Sequence, residues 1–313
     1  MSKYKVVISD QVFPSVEVER GLLSEIEADL IVASGDVDEV LDVAGDADAI
    51  LNTYLPWSAD SIARLEKCRI IARYGIGFDN VDLSAARDAG IVVTNVPDYS
   101  VEEVATHALA LILASLRKVL PADAAVRAGQ WSIDNFRPIR RLSTLTVGLV
   151  GYGRIARRIA APLQALGAEI IAHDPYLQPG PDMPPLLSLD AVLRQADIIS
   201  LHVPLTDETR GFIGEDTLGA VKEGAVLINT SRGPLVDLDA LRKALESARL
   251  SAAALDVFDI EPVDPGRIEG IPNLIATPHM AYYSEEALQE SQRKAATQVI
   301  KVLTGEQPDY QVN

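Results

Sequence analysis

The run Thr146-Val147-Gly148-Leu149-Val150-Gly151-Tyr152-Gly153-Arg154-Ile155-Ala156 takes an apolar strand straight into a glycine turn and then a helix. Glycine at 151 and 153 permits a tight turn and close approach of backbone to an anion. The following helix aims its first N–H groups at the same place. Ala156, where a third glycine often stands, is small enough for helix–strand packing, and Arg154 and Ile155 open the helix beside the anion. A glycine pattern alone is a weak signal. Its context strengthens it, because Asp174 ends the next apolar run, 21 positions after Gly153. A carboxylate there can accept hydrogen bonds from ribose hydroxyls and would repel a 2′-phosphate, so the pattern points to NAD rather than NADP. His202-Val203-Pro204 ends a further apolar run and reads as lining of the same pocket, not as a proton-transfer group.

Outward from this turn, strand-like runs at 145–150, 169–174, 197–201, 225–229, 252–257 and 274–277 alternate with helical stretches at 154–166, 189–196 and 238–250. Upstream, runs at 4–8, 30–33, 50–54, 70–73 and 91–96 alternate with helical stretches at 58–68 and 82–89. Strands alternating with helices predict parallel pairing, hence an α/β fold with two such series. A long helix starting near Ser100 is apolar over much of its circumference, which predicts burial between domains or subunits. Residues 121–143 show no clear periodicity. With Trp131, Phe136 and several arginines, they form either an arm that packs on a partner subunit or a surface excursion. A closing helix over about 284–304 is placed to return to the first domain and make it discontinuous.

The 313 residues suffice for two domains, and 48% apolar content supports sizeable cores. A net charge of -17 disfavours nucleic acid and anionic membrane as partners. It also means that an anionic substrate needs a local cation. The single cysteine, Cys68, excludes an internal disulfide and fits a reducing compartment. The N-terminal run reads as a strand rather than a signal peptide, and the longest apolar stretch, around 108–114, is too short to span a bilayer. The expectation is a soluble, cytoplasmic protein. With no spaced histidine pair and no cysteine cluster, no metal is expected.

Three residues follow strand ends, where open α/β sheets bind ligands. Arg232, in Thr230-Ser231-Arg232-Gly233-Pro234, can hold a carboxylate with two prongs and polarise a neighbouring keto oxygen; read alone, it could equally bind a backbone carbonyl. Glu261 lies in Asp256-Val257-Phe258-Asp259-Ile260-Glu261-Pro262, and His279 in Thr277-Pro278-His279-Met280-Ala281. Histidine suits proton transfer near neutrality, and a carboxylate behind it fixes its tautomer and favours the imidazolium. Together these are the groups needed to reduce a 2-keto acid with a nicotinamide cofactor. His107, inside the long helix, reads as a packing residue.

With these runs in this order, the chain resembles the D-isomer-specific 2-hydroxyacid dehydrogenase family over nearly its whole length. The resemblance implies two Rossmann- or flavodoxin-like doubly wound parallel-sheet domains separated by a cleft. It places the substrate domain at 1–100 plus 284–313 and the NAD-binding domain at 101–283. It further implies a homodimer through the cofactor domain and interconversion of a small 2-keto acid and the D-2-hydroxy acid. Arg232 matches the substrate-binding arginine, Glu261 the histidine partner and His279 the proton donor. Asp256 matches a nicotinamide carboxamide contact, and Thr230 and Ser231 lie in the cofactor-contacting run. Tyr74, Gly75, Ile76 and Gly77 match the loop whose N–H groups receive the substrate carboxylate. Arg73-Tyr74-Gly75-Ile76-Gly77 and His279-Met280-Ala281-Tyr282 look most like the carboxy-terminal binding protein branch, whose members include NAD-sensing corepressors. A cofactor-gated binding protein is therefore the alternative expectation. Arg73 is either a second carboxylate contact or a structural ion-pair partner, and Tyr282, standing where those corepressors carry tryptophan, is a candidate for side-chain selectivity. Glutamate rather than glutamine at 261 disfavours a formate dehydrogenase. With no domain expected after Asn313, a phosphoglycerate dehydrogenase of the long, regulated type is disfavoured too.

Overall fold

The structure, a computed structural model, describes residues 3–313. The chain divides into two compact units, one formed by Met1–Ser100 with Ser284–Asn313, the other by Val101–Tyr283. In the first, strands β1 (Tyr4–Ile8), β2 (Ala28–Val32), β3 (Ala49–Asn52), β4 (Ile70–Arg73) and β5 (Val92–Thr94) alternate with helices α1 (Glu17–Ser24), α2 (Val37–Ala44), α3 (Ala59–Ile62) and α4 (Leu83–Asp88). The strands pair in parallel in the order β2-β1-β3-β4-β5. A parallel sheet covered on both faces needs unbroken apolar strands rather than alternating ones. Val6, Val7, Ile8, Ile50, Leu51, Ile70 and Ile71 accordingly have no exposed surface, each side chain contributing about 1.5–3 kcal/mol by its burial.

Several elements of this unit are shorter than the sequence predicts, and for β3 and α3 the hydrogen bonds give the reason. Strand 50–54 stops at Asn52 because the next N–H groups leave the sheet for the Asp10 carboxylate, Thr53 at 2.9 Å, Leu55 at 3.2 Å and Tyr54 between them. The helix expected over 58–68 is only α3, capped by Ser58. The chain then turns so that Glu66 N–H reaches Gly45 O at 2.8 Å and Arg69 N–H reaches Asp48 O at 2.9 Å.

The second unit runs α5 (Val101–Arg117), α6 (Val119–Arg127), β6 (Thr146–Val150), α7 (Arg154–Ala165), β7 (Glu169–His173), α8 (Leu189–Gln195), β8 (Ile198–Leu201), α9 (Glu215–Ala220), β9 (Ala225–Asn229), α10 (Leu238–Glu246), β10 (Leu250–Leu255), α11 (Pro265–Ile268) and β11 (Leu274–Ala276). Its six parallel strands lie in the order β11-β10-β9-β8-β6-β7. Strand order reverses at β6 and β8, which makes their carboxyl ends the expected ligand crevice. Helix α12 (Glu285–Thr304) then returns to the first unit and packs on α1, β3 and β4.

The apolar stripe of α5 packs within its own unit, with Ala105, Ala108, Leu111 and Ile112 buried in the core beside α7, β9 and β10. Helix α6 falls in a region read as aperiodic. It starts from Lys118 in a left-handed conformation (φ 52°) and buries none of its residues, so no amphipathic pattern marks it. Among the described residues no helix is long and apolar enough to cross a membrane.

Candidate active site

Strand β6 delivers Gly151 to the switch point with φ 87°, its N–H donating to His173 O at 2.7 Å. A Cβ at this position would lie 2.4 Å from His202 O, so both the conformation and the close approach require glycine. Gly153 is the N-cap of α7 without a side-chain cap. A Cβ there meets nothing within 4 Å, so the turn leaves open space at the start of the helix. Ala156 is fully buried against the sheet, and Arg154 and Ile155 form the first turn. The Asp174 carboxylate folds back on the turn, accepting from Tyr152 N–H and Tyr176 N–H, each at 3.0 Å.

At the end of β8, His202 approaches Ser200 Oγ at 2.9 Å through Nε2, and burial pushes its imidazole down to about 4. It stays neutral near pH 7, which suits pocket lining beside Val203 and Pro204. At the end of β9, the Thr230 hydroxyl is buried without a hydrogen-bond partner, and the Ser231 hydroxyl donates to Leu201 O at 2.7 Å. An uncapped helix terminus, a glycine cradle and an orphaned hydroxyl at one switch point fit a dinucleotide.

Arg232 follows directly. The Asn229 side chain shapes its loop, accepting from Ser231 N–H at 3.0 Å and donating to Arg232 O at 2.8 Å. Its guanidinium donates to Ser231 O at 2.8 Å. The structure brings Glu261 and His279 together: Nδ1 of the imidazole lies 2.6 Å from Glu261 Oε2, while Glu261 Oε1 accepts from Phe258 N–H at 2.8 Å. Burial by itself would raise the Glu261 carboxyl. The hydrogen bond and charge of His279, the Phe258 N–H and the nearby Arg232 charge more than offset burial and hold it below the usual carboxylate range. The Tyr282 ring stands edge-on to His279 with centroids 6.0 Å apart. With its proton partner fixed on Nδ1, the imidazole can exchange a proton through Nε2 beside a guanidinium suited to a carboxylate.

Residues 109–281 match the family model described as D-isomer specific 2-hydroxyacid dehydrogenase, NAD binding domain. The chain belongs to this family. The D-3-phosphoglycerate dehydrogenase of Mycobacterium bovis is 37% identical over 98% of this chain and 58% of its own length, so the chain spans little more than half of that relative. The hydroxypyruvate reductase of Thermotoga maritima is 32% identical over 97% of this chain and 98% of its own. Among solved structures, the TT0316 protein from Thermus thermophilus superposes with a TM-score of 0.88 at 34% identity, covering 99% of this chain and 100% of that one. The unit at 101–283 therefore contains the family's NAD-binding domain.

Within this member of the family, the residues expected to bind substrate in the first unit divide into two groups. Gly75, Ile76 and Gly77 are half-buried, and the Gly75 and Gly77 carbonyls accept from Val96 N–H and the Arg73 guanidinium. Tyr74 departs from the expectation. It is 2% exposed, its hydroxyl donates to buried Glu19 at 2.7 Å, its ring meets Phe13 at 4.7 Å and its N–H is taken by Asn52 O. An aromatic ring with one polar tip is most stable buried when that tip has a partner, and Glu19 supplies it inside the unit. Arg73 is also buried, with guanidinium nitrogens on Gly77 O at 2.5 Å and on Thr53 O, so these contacts brace the loop from beneath.

The Asp256 carboxylate is buried and accepts from Thr277 Oγ1 at 2.5 Å, Met280 N–H at 3.0 Å and Ala281 N–H at 2.9 Å. Three contributors escaped sequence reasoning. Gly233 sits where a Cβ would lie 1.9 Å from the Phe258 carbonyl carbon, so it lets the Arg232 loop touch the Glu261 loop. Thr277 and His107 complete the Asp256 cluster, His107 Nε2 lying 3.1 Å from Thr277 Oγ1. Gly233 was signalled only by its place after Arg232, and His107 by nothing local.

Proposed function

We propose that the protein is an NAD-dependent oxidoreductase that interconverts a small 2-keto acid and the D-2-hydroxy acid. The hydrogen-bonded His279–Glu261 pair beside Arg232 carries this reading. Bound NADH supplies the hydride. Gly151, Gly153 and the first turn of α7 hold the pyrophosphate, and Asp174 takes the adenosine ribose. Arg232 holds the substrate carboxylate and polarises the keto oxygen. His279 donates a proton to that oxygen through Nε2 while Glu261 stabilises the charged imidazole. The oxidation uses the same groups in reverse.

The substrate side chain is uncharged. Ligands gather at the carboxyl ends of parallel strands, and the first unit's loops there (9–16, 33–36, 53–58, 74–82 and 95–100) contain no lysine or arginine. A second copy of the chain is the partner that fits the exposed apolar surface of α6 and the arm after it: Val119, Leu120, Val126, Trp131, Ile133 and Ile139. The buried lone Cys68, its thiol pushed up to about 12 by desolvation, is compatible with a cytoplasmic setting.

A panel of glyoxylate, pyruvate, hydroxypyruvate, phenylpyruvate and phosphohydroxypyruvate, followed by loss of NADH absorbance, tests the reading. The expected result is turnover of unphosphorylated acids, at least tenfold weaker for phosphohydroxypyruvate. His279→Ala should suppress turnover by about 10²-fold or more with NADH binding nearly unchanged. No turnover of any keto acid, or unimpaired turnover in that variant, overturns it.

A further inference from the structure

The first sheet, in the order β2-β1-β3-β4-β5, has its own reversal of strand order between β1 and β3. In open α/β sheets a crevice for ligands opens at the carboxyl ends of such a pair. Ser9 and Asp10 border it after β1, and Thr53, Tyr54 and Leu55 after β3. The three successive N–H groups of 53–55 converge on one point, an arrangement suited to an anion. The Asp10 carboxylate fills that point. Its Oδ1 accepts from Thr53 N–H at 2.9 Å, Ser9 Oγ at 2.6 Å and Asn52 Nδ2 at 3.2 Å. Its Oδ2 accepts from Leu55 N–H at 3.2 Å and from Tyr54 N–H.

The loop is fastened from its carbonyl side as well. Fully buried Asn52 donates to Leu55 O at 3.0 Å, and Asn80 Nδ2 donates to Asn52 Oδ1 at 3.1 Å and to Leu55 O at 3.0 Å. Within this frame Thr53 is buried and Leu55 half-buried, whereas Tyr54 is 47% exposed at the carboxyl end of the sheet. A carboxylate is acceptor-only, so both oxygens take donors at once. An amide fails whichever way it turns, because each Asp10 oxygen faces at least two donors and one of them would become an N–H group.

We propose that the switch point of the first sheet is an anion site occupied by the protein's own Asp10 carboxylate. Asp10 is thereby a positioning residue for Tyr54, the side chain that selects keto acids by the bulk of their own side chains. The role of Tyr54 rests on the proposed reaction, and the anion site does not. Asp10→Ala leaves the convergent N–H groups without their acceptor and opens room for a small free carboxylate such as formate. Formate bound there stabilises the folded chain by mass action. Asp10→Asn keeps the volume filled, so formate has no place to enter.

The test compares Asp10→Ala, Asp10→Asn and Tyr54→Ala in the full-length protein, using glyoxylate, which has no side chain, and the bulkiest keto acid that the parent reduces. In all three variants the kcat/KM ratio of the bulky acid to glyoxylate should fall at least fivefold, while the Kd for NADH, read by fluorescence, changes less than threefold. The double variant Asp10→Ala with Tyr54→Ala should shift the ratio no further than Tyr54→Ala alone. Formate, but not chloride at equal ionic strength, should raise the Tm of Asp10→Ala and restore its ratio, and should do neither in the parent or in Asp10→Asn. Tyr54→Ala changes an exposed side chain, so it tests selection even where Asp10→Ala is unstable. A Tm of Asp10→Ala that formate leaves unmoved overturns the anion site. Equal losses for the two acids overturn the positioning role. A parent that reduces no keto acid overturns the catalytic reading and with it the role of Tyr54, while the response of Tm to formate still decides the anion site.

Discussion

Replacing Gly233 by alanine adds one methyl group at the point where two functional loops meet. Gly233 has no unusual φ, so the new residue costs nothing in backbone conformation. The cost is contact: its Cβ would fall 1.9 Å from Phe258 C, 2.0 Å from Phe258 O and 2.5 Å from Asp259 N. Backbone cannot rotate away as a side chain does. To reach even 3.0 Å from Phe258 C, the loops must part by about 1.1 Å, the difference between 3.0 and 1.9 Å. Phe258 N–H holds Glu261 Oε1, and Glu261 holds His279, so the displacement passes directly to the His279–Glu261 pair relative to Arg232. Overpacking of this kind costs about 1–3 kcal/mol of stability. A misplacement of about 1 Å in a reacting geometry costs about 10²-fold in rate. Steady-state reduction of the best keto acid should therefore fall about 10²-fold in kcat. NADH affinity, set at the Gly151–Gly153 turn on another strand, should stay within threefold. Circular dichroism melts should show a destabilised but folded protein. A kcat within threefold of the parent would show that Arg232 and the His279–Glu261 pair need not keep this spacing.

The other glycines separate packing from ligand space. Gly151→Ala should cost about 1–3 kcal/mol because φ 87° and His202 O both oppose it. Gly153→Ala, with nothing within 4 Å, should cost less than about 1 kcal/mol yet weaken NADH binding at least tenfold. Paired thermal melts and fluorescence titrations decide this, and unchanged affinity in Gly153→Ala refutes the reserved space. Glu261→Gln keeps a hydrogen bond to His279 but removes its charge, a loss of about 1–2 kcal/mol, so kcat for reduction should fall about 5–30-fold. A kcat unchanged in this variant refutes the pairing. His202, neutral in the fold to about 4 against 6.5 when free, takes up a proton first in the unfolded chain. Stability should therefore fall as pH drops from about 6.5 to about 4, by at most about 3 kcal/mol. Denaturant melts of His202→Gln should show that much less acid destabilisation, and identical pH dependence refutes it.

Local chemistry made the doubly wound parallel sheets legible. Apolar runs such as Tyr4–Ile8 and Ala225–Asn229 read as strands because both faces of a parallel sheet are covered, and each strand pairs as its pattern requires. The glycine turn, Asp174, Arg232, Glu261 and His279 stood out because their residue types match a reaction and each follows a strand. Boundaries failed where a distant group intervened, as when Asp10 drew Thr53, Tyr54 and Leu55 out of β3. Helix α6 stayed invisible because a helix with no buried face carries no periodic signal.

Tyr74 and Asp256 show a different limit. Their residue types fit ligand contact, and only the fold reveals that the Tyr74 hydroxyl is taken by Glu19 and that the Asp256 carboxylate also receives the 277–281 turn. His107 meets Thr277 across 170 positions of sequence, so no spacing rule could connect them. Residue type announces the groups that exchange protons and hold charge, because the reaction demands them. The groups that hold those in place answer only to geometry, and at His279 that geometry is a strained backbone. The left-handed φ of 51° at His279 lies beside Met280 and Ala281 N–H groups that converge on the Asp256 carboxylate, an arrangement that no local pattern announces because its two halves lie on separate strand ends.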